Sequence, residues 1–276
     1  MTVNSNLHLL KIGDIKIYLR RDVIDDYWVF EGIFFADEYY PLKLKKSDIV
    51  LDVGANIGAF TLKVAPKVKH VIAVEPEPNN FEILKRNVNK NNLSNVTLLN
   101  YAVSDKAEIV YFNTTGGSAK VSDRGIPINA KPLDDILHEL GESEVTIMKM
   151  DIEGYEGKVL SAFKNYESLR QIIMEVHSRD LWNYVNKWLS ARGFTVVDVS
   201  RIKKARVVKN IFSNLIPFLS AERAYNYFTI KQGIKYLLRL APSPVAVVFH
   251  QIISLERNDI SSFGMRLILR KTIKFS

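Results

Sequence analysis

The chain contains no cysteine among its 276 residues. Disulfide bridges, zinc sites built on thiolates and cysteine nucleophiles are therefore excluded, and the sequence says nothing about redox compartment. Long apolar runs are also missing, because the best candidate is the short stretch 245–249, far below the ~18 residues that a membrane-spanning helix requires. No charged segment followed by an apolar stretch opens the chain, so we expect a cytoplasmic protein without membrane spans.

Acidic residues are scarce in the last part of the chain. Residues 201–276 hold 14 Lys+Arg and only 3 Asp+Glu, whereas residues 1–200 hold 24 Lys+Arg and 27 Asp+Glu. The net charge of +8 therefore comes from the C-terminal segment alone. Such a basic block is typical of a protein that meets an anionic membrane surface or nucleic acid, although a solvated basic face has the same composition.

A strand, a glycine turn and a helix are predicted over residues 48–60, DIVLDVGANIGAF. A short run of apolar, mostly β-branched residues is followed by Gly54 and Gly58 and then by helical spacing. Glycines allow the backbone to approach a ligand, and the first N–H groups of the helix are free to bind it. The turn has neither G-x-G-x-x-G nor the Gly-Lys-Ser/Thr of a P-loop, so it predicts a nucleotide site that is not built for phosphate.

Two carboxylates, Asp52 and Glu75, end the first two predicted strands of this core and are expected to line the same crevice. Glu75 lies 21 positions after Gly54, which suits a carboxylate that binds both hydroxyls of a ribose. The acidic pair also favours a cationic ligand. S-adenosylmethionine (SAM), a nucleoside with a sulfonium charge and no phosphate, fits both conditions. The alternative is a turn that only connects strand to helix.

Five successive motifs resemble those of the FkbM-type SAM-dependent methyltransferases: DVGANIG, AVEPEPNNFEILKRNVNKN, NYAVSDK, KMDIEGYE and MEVH. The resemblance covers about residues 51–199, with a weaker similarity in EGIFFADEYYP at 31–41. It implies a Rossmann-like class I methyltransferase fold and methyl transfer to a hydroxyl oxygen. The acceptors of the family are diverse, so the resemblance implies no single substrate.

We expect an α/β fold with a mostly parallel, seven-stranded sheet and helices on both faces. The strands of this sheet are predicted at 48–53, 70–75, 96–101, 145–150, 171–177 and 194–199, with an antiparallel seventh at 265–271. Further strands are predicted at 15–20 and 27–35, in a small N-terminal cap, and at 107–113 and 118–122, in a hairpin. Asp180 is the predicted N-cap of the helix before the sixth strand of the main sheet. The corresponding domains are the cap (1–46), the SAM-binding core (47–200), a basic helical insertion (201–262) and the final strand (263–276).

Cofactor contacts are expected where the first three strands of the core end. The candidates are Asp52, Gly54, Asn56, Gly58, Glu75, Ala102, Val103, Ser104 and Asp105. The resemblance places adenine at the last four of these, through the backbone of Ala102 and Val103 and the polar groups of Ser104 or Asp105. For Asp105, a simple turn residue is the alternative.

Acidic residues and a histidine follow the fourth and fifth strands of the core. Asp151 and Glu153 lie just past strand four, and Glu175 and His177 project from one face of strand five because strand side chains alternate. The Asn/Asp-Pro-Pro-aromatic tetrapeptide that is typical of nitrogen methyltransferases is absent after strand four, which favours a hydroxyl acceptor whose proton must be removed. His177 is expected to titrate in the range of a general base, and Asp151 and Glu153 are the other candidates.

The same four side chains could instead hold Mg²⁺, which lowers the pKa of a bound hydroxyl. We favour a base without a metal. In addition, Glu153 could merely cap the following helix, and Glu175 could lie on the wrong face of its strand.

The favoured function is O-methylation of a small molecule, a sugar or a lipid-linked glycan. An RNA ribose methyltransferase that uses the basic segment, and a SAM-binding module without catalysis, are the alternatives. In the stretch 221–241, a basic stripe (Lys231, Lys235, Arg239) lies beside an apolar one (Ile230, Ile234, Leu237, Ala241). A helix of this kind can lie on an anionic membrane surface, so we expect peripheral membrane contact, or else packing on the core or on a second subunit of a homo-oligomer.

Overall fold

The computed structural model describes residues 6–34, 39, 42–113, 120–198 and 265–271. The strands are β1 (Leu7–Ile12), β2 (Ile15–Arg20), β3 (Ile49–Val53), β4 (His70–Val74), β5 (Val96–Leu99), β6 (Ala102–Val103), β7 (Glu108–Asn113), β8 (Lys120–Ser122), β9 (Ile126–Lys131), β10 (Ile147–Met150), β11 (Gln171–Val176), β12 (Phe194–Asp198) and β13 (Met265–Lys271). The α-helices are α1 (Ile24–Phe34), α2 (Ala59–Val64), α3 (Pro78–Lys90), α4 (Leu133–Glu139), α5 (Glu156–Ala162) and α6 (Arg179–Ser190).

The main sheet has seven strands in the order β12-β13-β11-β10-β3-β4-β5. β13 runs antiparallel to both of its neighbours, and the other pairs are parallel. The chain begins the sheet at β3, proceeds to one edge at β5, and then returns to β10 on the other side of β3. The strand order therefore reverses between β3 and β10, and the crevice beyond the carboxyl ends of these two strands is where such a sheet binds ligands.

Helices cover both faces of this sheet. Leu51, Met148 and Ile172 point to the face that is packed by α4, α5 and α6, while their chain neighbours Val50 and Ile147 point to the face packed by α1 and α2. Successive side chains of a strand alternate between faces. A strand buried on both sides needs apolar residues at nearly every position, which explains the continuous apolar runs in the sequence.

Residues 27–34 are helical, so the prediction of a strand at 27–35 is wrong. α1 buries Phe30 and Phe34 at helical spacing in the same core as α2. In the first turn of α1, Asp26 accepts hydrogen bonds from the backbone N–H of Arg20 (2.7 Å) and from its guanidinium Nε (3.0 Å) and Nη2 (2.6 Å). Aromatic residues are typical of strands. Here the packing of Phe30 and Phe34 and the hydrogen bonds of Asp26 decide in favour of a helix.

A second sheet of four strands, in the order β6-β9-β7-β8, lies between β5 and α4 in the chain. β7 and β8 pair antiparallel, which confirms the predicted hairpin, and β9 pairs with the other side of β7. Residues 114–119 between the two hairpin strands lie outside the described residues.

The helix α6 begins two residues earlier than predicted. Its N-cap is Ser178, which has an extended backbone and a hydroxyl that accepts a hydrogen bond from the N–H of Leu181 at 3.1 Å. Asp180 lies inside the first turn, so its prediction as the N-cap is wrong. Serine is as good an N-cap as aspartate, and the N–H that it binds lies three residues on, the usual position for such a bond.

The antiparallel seventh strand β13 occupies residues 265–271, where it was predicted. The predicted insertion at 201–262 lies outside the described residues. Within the described part of the chain, no helix has both the length and the apolar character to cross a membrane.

Candidate active site

The glycine turn is held between the ends of β4 and β10. The backbone N–H groups of Gly54 and Ala55 both donate to the carbonyl of Val74, at 2.9 and 3.0 Å. Gly54 has a φ of +76°, and a Cβ at this position would lie 2.0 Å from the backbone carbonyl oxygen of Asp151. Only glycine therefore fits here, and the turn directly contacts the segment that follows β10. At Gly58, by contrast, a Cβ would meet Leu84 of α3, so this glycine permits helix packing.

Glu75 lies beside the turn and is buried. Its Oε2 accepts a hydrogen bond from the N–H of Asn56 (2.7 Å), and its Oε1 accepts one from the N–H of Glu77 (2.9 Å). Burial raises the pKa of this carboxyl, the two backbone hydrogen bonds lower it, and the result is about 7. The Asn80 side chain also donates to this carboxyl, and the acceptor capacity of a carboxylate still leaves a position for a ribose hydroxyl.

Asp52 is completely buried inside β3 and does not line the crevice, contrary to the expectation from the sequence. Its Oδ2 accepts a hydrogen bond from the Thr61 hydroxyl at 2.6 Å, and its Oδ1 lies 3.3 Å from Nζ of Lys149. The same ammonium group donates to the carbonyl oxygen of Gly54. Asp52 therefore stabilises the turn indirectly, because it contacts Lys149, which binds the carbonyl of Gly54, and Thr61 of α2.

Lys149 was missed by the sequence reasoning, although a signal was present. It is the charged residue within the apolar strand VTIMKM, and in the structure it is buried. An ammonium group in such a place needs partners, which Asp52 and the carbonyl of Gly54 provide.

The residues predicted to bind adenine already have partners within the chain. Ala102 and Val103 form the buried strand β6. The Ser104 hydroxyl is buried and donates to Oε1 of Glu108 (2.6 Å) and to Oδ1 of Asp105 (3.2 Å). Asp105 in turn lies 3.4 Å from Nζ of Lys158. The adenine contacts of these four residues remain a prediction.

The structure brings together three of the four predicted acidic and histidine side chains. Asp151 and Glu153 follow β10, and His177 follows the neighbouring strand β11. Nε2 of His177 lies 3.7 Å from Oδ1 of Asp151 and 3.7 Å from Oε2 of Glu153, and one donor atom from each residue lies within 4.8 Å of the others. Glu175 is outside this group and lies within β11, in register with Arg266 of β13.

Glu156, the first residue of α5, organises this cluster and was missed by the sequence reasoning. It is completely buried, and its Oε1 lies 2.9 Å from Nδ1 of His177. The same oxygen accepts hydrogen bonds from the N–H groups of Ile152 and Gly154, both at 3.3 Å. Glu156 therefore fixes the imidazole ring and the turn that carries Asp151 and Glu153. Its sequence signal was the second glutamate of DIEGYE.

The electrostatics of the cluster differ from the expectation for His177. Burial by itself lowers the pKa of this imidazole, but the hydrogen bond with Glu156 and the charges of Glu156, Asp151 and Glu153 outweigh that effect and raise it to about 9. The prediction that His177 titrates in the range of a general base is therefore wrong, and the ring is charged at neutral pH.

The strand order, the antiparallel seventh strand, and the glycine turn with a buried acid beside it define the class I methyltransferase fold. The family described as the methyltransferase FkbM domain matches residues 52–196, and the chain belongs to this family of methyltransferases.

Three known proteins illustrate the similarity. Methyltransferase sdnD of Sordaria araneosa is 26% identical over 217 residues, which cover 63% of this chain and 83% of that protein. The 31-O-demethyl-FK506 methyltransferase FkbM of Streptomyces tacrolimicus is 29% identical over 210 residues, which cover 59% of this chain and 80% of that protein. Among solved structures, methyltransferase FkbM from Methylobacillus flagellatus aligns with a TM-score of 0.44 at 21% identity, over 60% of this chain and 43% of that one.

Proposed function

We propose that the protein transfers the methyl group of SAM to a hydroxyl oxygen of a small molecule, a sugar or a lipid-linked glycan. The observation that carries this proposal is the direct contact between the two halves of the site. Gly54 of the proposed SAM turn approaches the carbonyl of Asp151, which opens the segment with the acidic cluster. Donor and proton acceptor would therefore meet at the point where the strand order reverses.

Two features of SAM, its ribose and its positive charge, suit the groups around the glycine turn. Each oxygen of Glu75 accepts one backbone hydrogen bond and the Asn80 side chain supplies a third, so the carboxylate keeps acceptor capacity for a ribose hydroxyl. The glycine turn offers an approach for the methionine part without a side chain in the way. Carboxylates on both sides of the crevice, Glu75 on one and Asp151 with Glu153 on the other, suit the sulfonium cation.

Methyl transfer to a hydroxyl requires that SAM and the acceptor oxygen are aligned and that one group accepts the hydroxyl proton. The acceptor oxygen attacks the methyl carbon as the carbon–sulfur bond breaks, so SAM becomes a neutral thioether and the hydroxyl proton passes to a carboxylate of the cluster, Asp151 or Glu153. Sulfonium methyl donors are reactive, and holding the two reactants in line can supply most of the rate. Proton removal by a positioned group adds to it.

Two observations support oxygen rather than nitrogen as the acceptor atom. β10 is followed by Asp151-Ile152-Glu153-Gly154, which lacks the prolines and the aromatic residue of the nitrogen-type tetrapeptide. The relative from Streptomyces tacrolimicus is named as a methyltransferase of 31-O-demethyl-FK506, a compound that lacks a methyl group on an oxygen. The preference for a lipid-linked acceptor rests on the basic segment 201–262, which lies outside the described residues.

The experiment that tests this proposal identifies the methylated atom. The purified protein is incubated with SAM that carries a trideuterated methyl group, together with extract of the source cells, and products that gain the label are located by mass spectrometry and NMR. We expect the label on a hydroxyl oxygen of a small molecule, sugar or glycan. Label on nitrogen, on RNA, or on no product although the protein binds SAM, would contradict the proposal.

A further inference from the structure

We infer that Asp151, Glu153 and His177 form a binding site for a divalent cation of the Mn²⁺ type, with Glu156 as the buried residue that orients it. The inference deepens the proposed function, because it assigns a cofactor to the place where the acceptor hydroxyl must lose its proton. It departs from the expectation of a base without a metal, and the observations that support it come from the geometry of the cluster.

The spacing of the three donor atoms suits a bound cation. The separation of 3.7 Å between Nε2 of His177 and each carboxylate oxygen is too long for an N–H···O hydrogen bond. Metal–ligand bonds of ~2.1 Å that span such a gap meet at roughly 120°, an ordinary angle between two ligands of one first-row metal ion. The group therefore leaves room for a cation at its centre.

The orientation of His177 is that of a metal ligand. Histidine ligands commonly donate their second ring N–H to a carboxylate, which fixes the ring and directs the other nitrogen at the metal. Glu156 lies at hydrogen-bond distance from Nδ1 (2.9 Å), so Nε2 is the nitrogen that faces Asp151 and Glu153. Glu156 is fully buried, and its second oxygen, Oε2, has no hydrogen-bond partner among the described residues. A buried carboxylate of this kind needs positive charge nearby, which the imidazole of His177 supplies and a cation bound at Nε2 would supply in its place.

The backbone that carries the two carboxylates is held in an unfavourable conformation. Glu153 has a φ of +55°, which residues other than glycine rarely adopt, and the hydrogen bonds from Ile152 and Gly154 to Glu156 keep the turn in place. Backbone strain of this kind clusters at active sites and ligand sites. Here it brings the side chains of Asp151 and Glu153 to the same side as His177.

The donor set indicates which cation the site takes. Two carboxylates and one imidazole suit Mn²⁺, Fe²⁺ or Zn²⁺, whereas Mg²⁺ prefers oxygen ligands and retains several of its waters. We therefore expect Mn²⁺ to bind more tightly than the Mg²⁺ that the sequence suggested. A hydroxyl that coordinates such a cation loses its proton more readily, which is the effect that methyl transfer to oxygen requires.

The test measures metal binding directly, by the loss of the electron paramagnetic resonance signal of free Mn²⁺ in a titration of the EDTA-treated full-length chain. We expect one Mn²⁺ per chain. The variants Glu153→Gln and His177→Gln should weaken binding by tenfold or more, and Glu156→Gln by roughly 10–100-fold, as for other residues that orient ligands. The matched control is Glu175→Gln, on the same strand end but outside the cluster, which should bind as the parent does.

Several outcomes would overturn the inference: no Mn²⁺ bound by the parent, unchanged binding in Glu153→Gln and His177→Gln, or equal displacement of Mn²⁺ by the same concentration of Mg²⁺. Circular dichroism of each variant shows whether it is folded. Methyl transfer by the EDTA-treated chain is measured in parallel. Full methyl transfer without Mn²⁺ binding would overturn the metal site but not the proposed function. Mn²⁺ binding without methyl transfer to any hydroxyl would overturn the proposed function but not the metal site.

Discussion

At the scale of single residues, buried carboxylates have contrasting roles in this chain. Glu75 and Glu156 are both buried, but Glu75 receives two backbone N–H groups at the proposed ribose site, whereas Glu156 is paired with His177. The sequence indicated the position of Glu75 because its distance from the glycine turn is local and regular. It did not indicate the pairing of Glu156, because that contact exists only once β10 and β11 are neighbours in the sheet.

Replacement of Glu75 tests the proposed ribose contact. Glu75→Ala should weaken SAM binding by about 2 kcal/mol, the usual cost of losing hydrogen bonds to a charged group. Isothermal titration calorimetry measures this loss. The control is Glu82→Gln, at an exposed position of α3, which should bind SAM as the parent does. Equal affinity of Glu75→Ala and the parent, or a preference of the parent for NAD, would show that the cofactor is assigned wrongly.

The pH dependence of stability contains a contribution from Glu31 in α1. Burial raises the pKa of this carboxyl from 4.5 to about 7. The folded state therefore binds the proton more tightly than the unfolded state, and stability is lost as the pH rises from about 4.5 to about 7. Glu31→Gln should raise the free energy of unfolding at pH 8 by roughly 2 kcal/mol and change it little at pH 4.

Urea unfolding at the two pH values measures this difference. Glu75 shifts in the same direction, so Glu31→Gln removes only part of the pH dependence of the parent. Glu82→Gln again serves as the exposed control and should leave the difference between the two pH values unchanged. A stability gain at pH 4 as large as that at pH 8 would rule out titration of Glu31 as the cause.

At the scale of elements, the alternation of apolar runs with glycines and helical spacing predicted the strands of the main sheet, since these signals are local. β13 was placed at 265–271 because the resemblance required a seventh strand there. The segment 27–35 was misassigned because its aromatic residues fit a strand as well as a helix. What decides between the two is the packing of Phe30 and Phe34 with α2, together with the hydrogen bond that the Arg20 guanidinium donates to Asp26. Neither contact is visible in the local pattern.

The turn between β3 and α2 gives a prediction at this scale. In Gly54→Ala the new methyl group would clash with the carbonyl of Asp151, so the turn and the end of β10 must move apart. We expect SAM affinity and methyl transfer both to fall by roughly tenfold or more. Gly13→Ala is a matched control, because Gly13 also has a positive φ but nothing within 4 Å of a Cβ. It should cost ~1–2 kcal/mol of stability from the same backbone strain and leave SAM affinity unchanged. Equal losses of affinity in both variants would contradict this role of the turn.

At the scale of the whole molecule, the N-terminal residues and the sheet share one core. Leu10, Ile17 and Phe30 are buried together with Val50 of β3 and Ile147 of β10, so residues 6–34 are packed onto the sheet that carries the site. The basic segment 201–262, on which the preference for a lipid-linked acceptor rests, lies outside the described residues.

We propose that this basic segment brings the protein to an anionic membrane surface. In liposome flotation, the full chain should bind vesicles that contain phosphatidylserine, fail to bind neutral phosphatidylcholine vesicles, and detach as the salt concentration rises. No binding to either kind of vesicle, together with a dimer in light scattering, would mean that the segment forms a contact between subunits.

The central claim is that the cluster after β10 and β11 assists transfer from SAM bound at the neighbouring turn. The most direct test compares turnover and SAM affinity in the double variant Asp151→Asn/Glu153→Gln with those in the control Glu175→Gln. We predict that turnover of the double variant falls by about 10²–10⁴, as expected for loss of proton removal, while its calorimetric SAM affinity stays close to that of the parent. The control variant should have the same turnover and the same SAM affinity as the parent. Unchanged turnover in the double variant would contradict the account, and so would a loss of turnover that merely follows a loss of SAM binding.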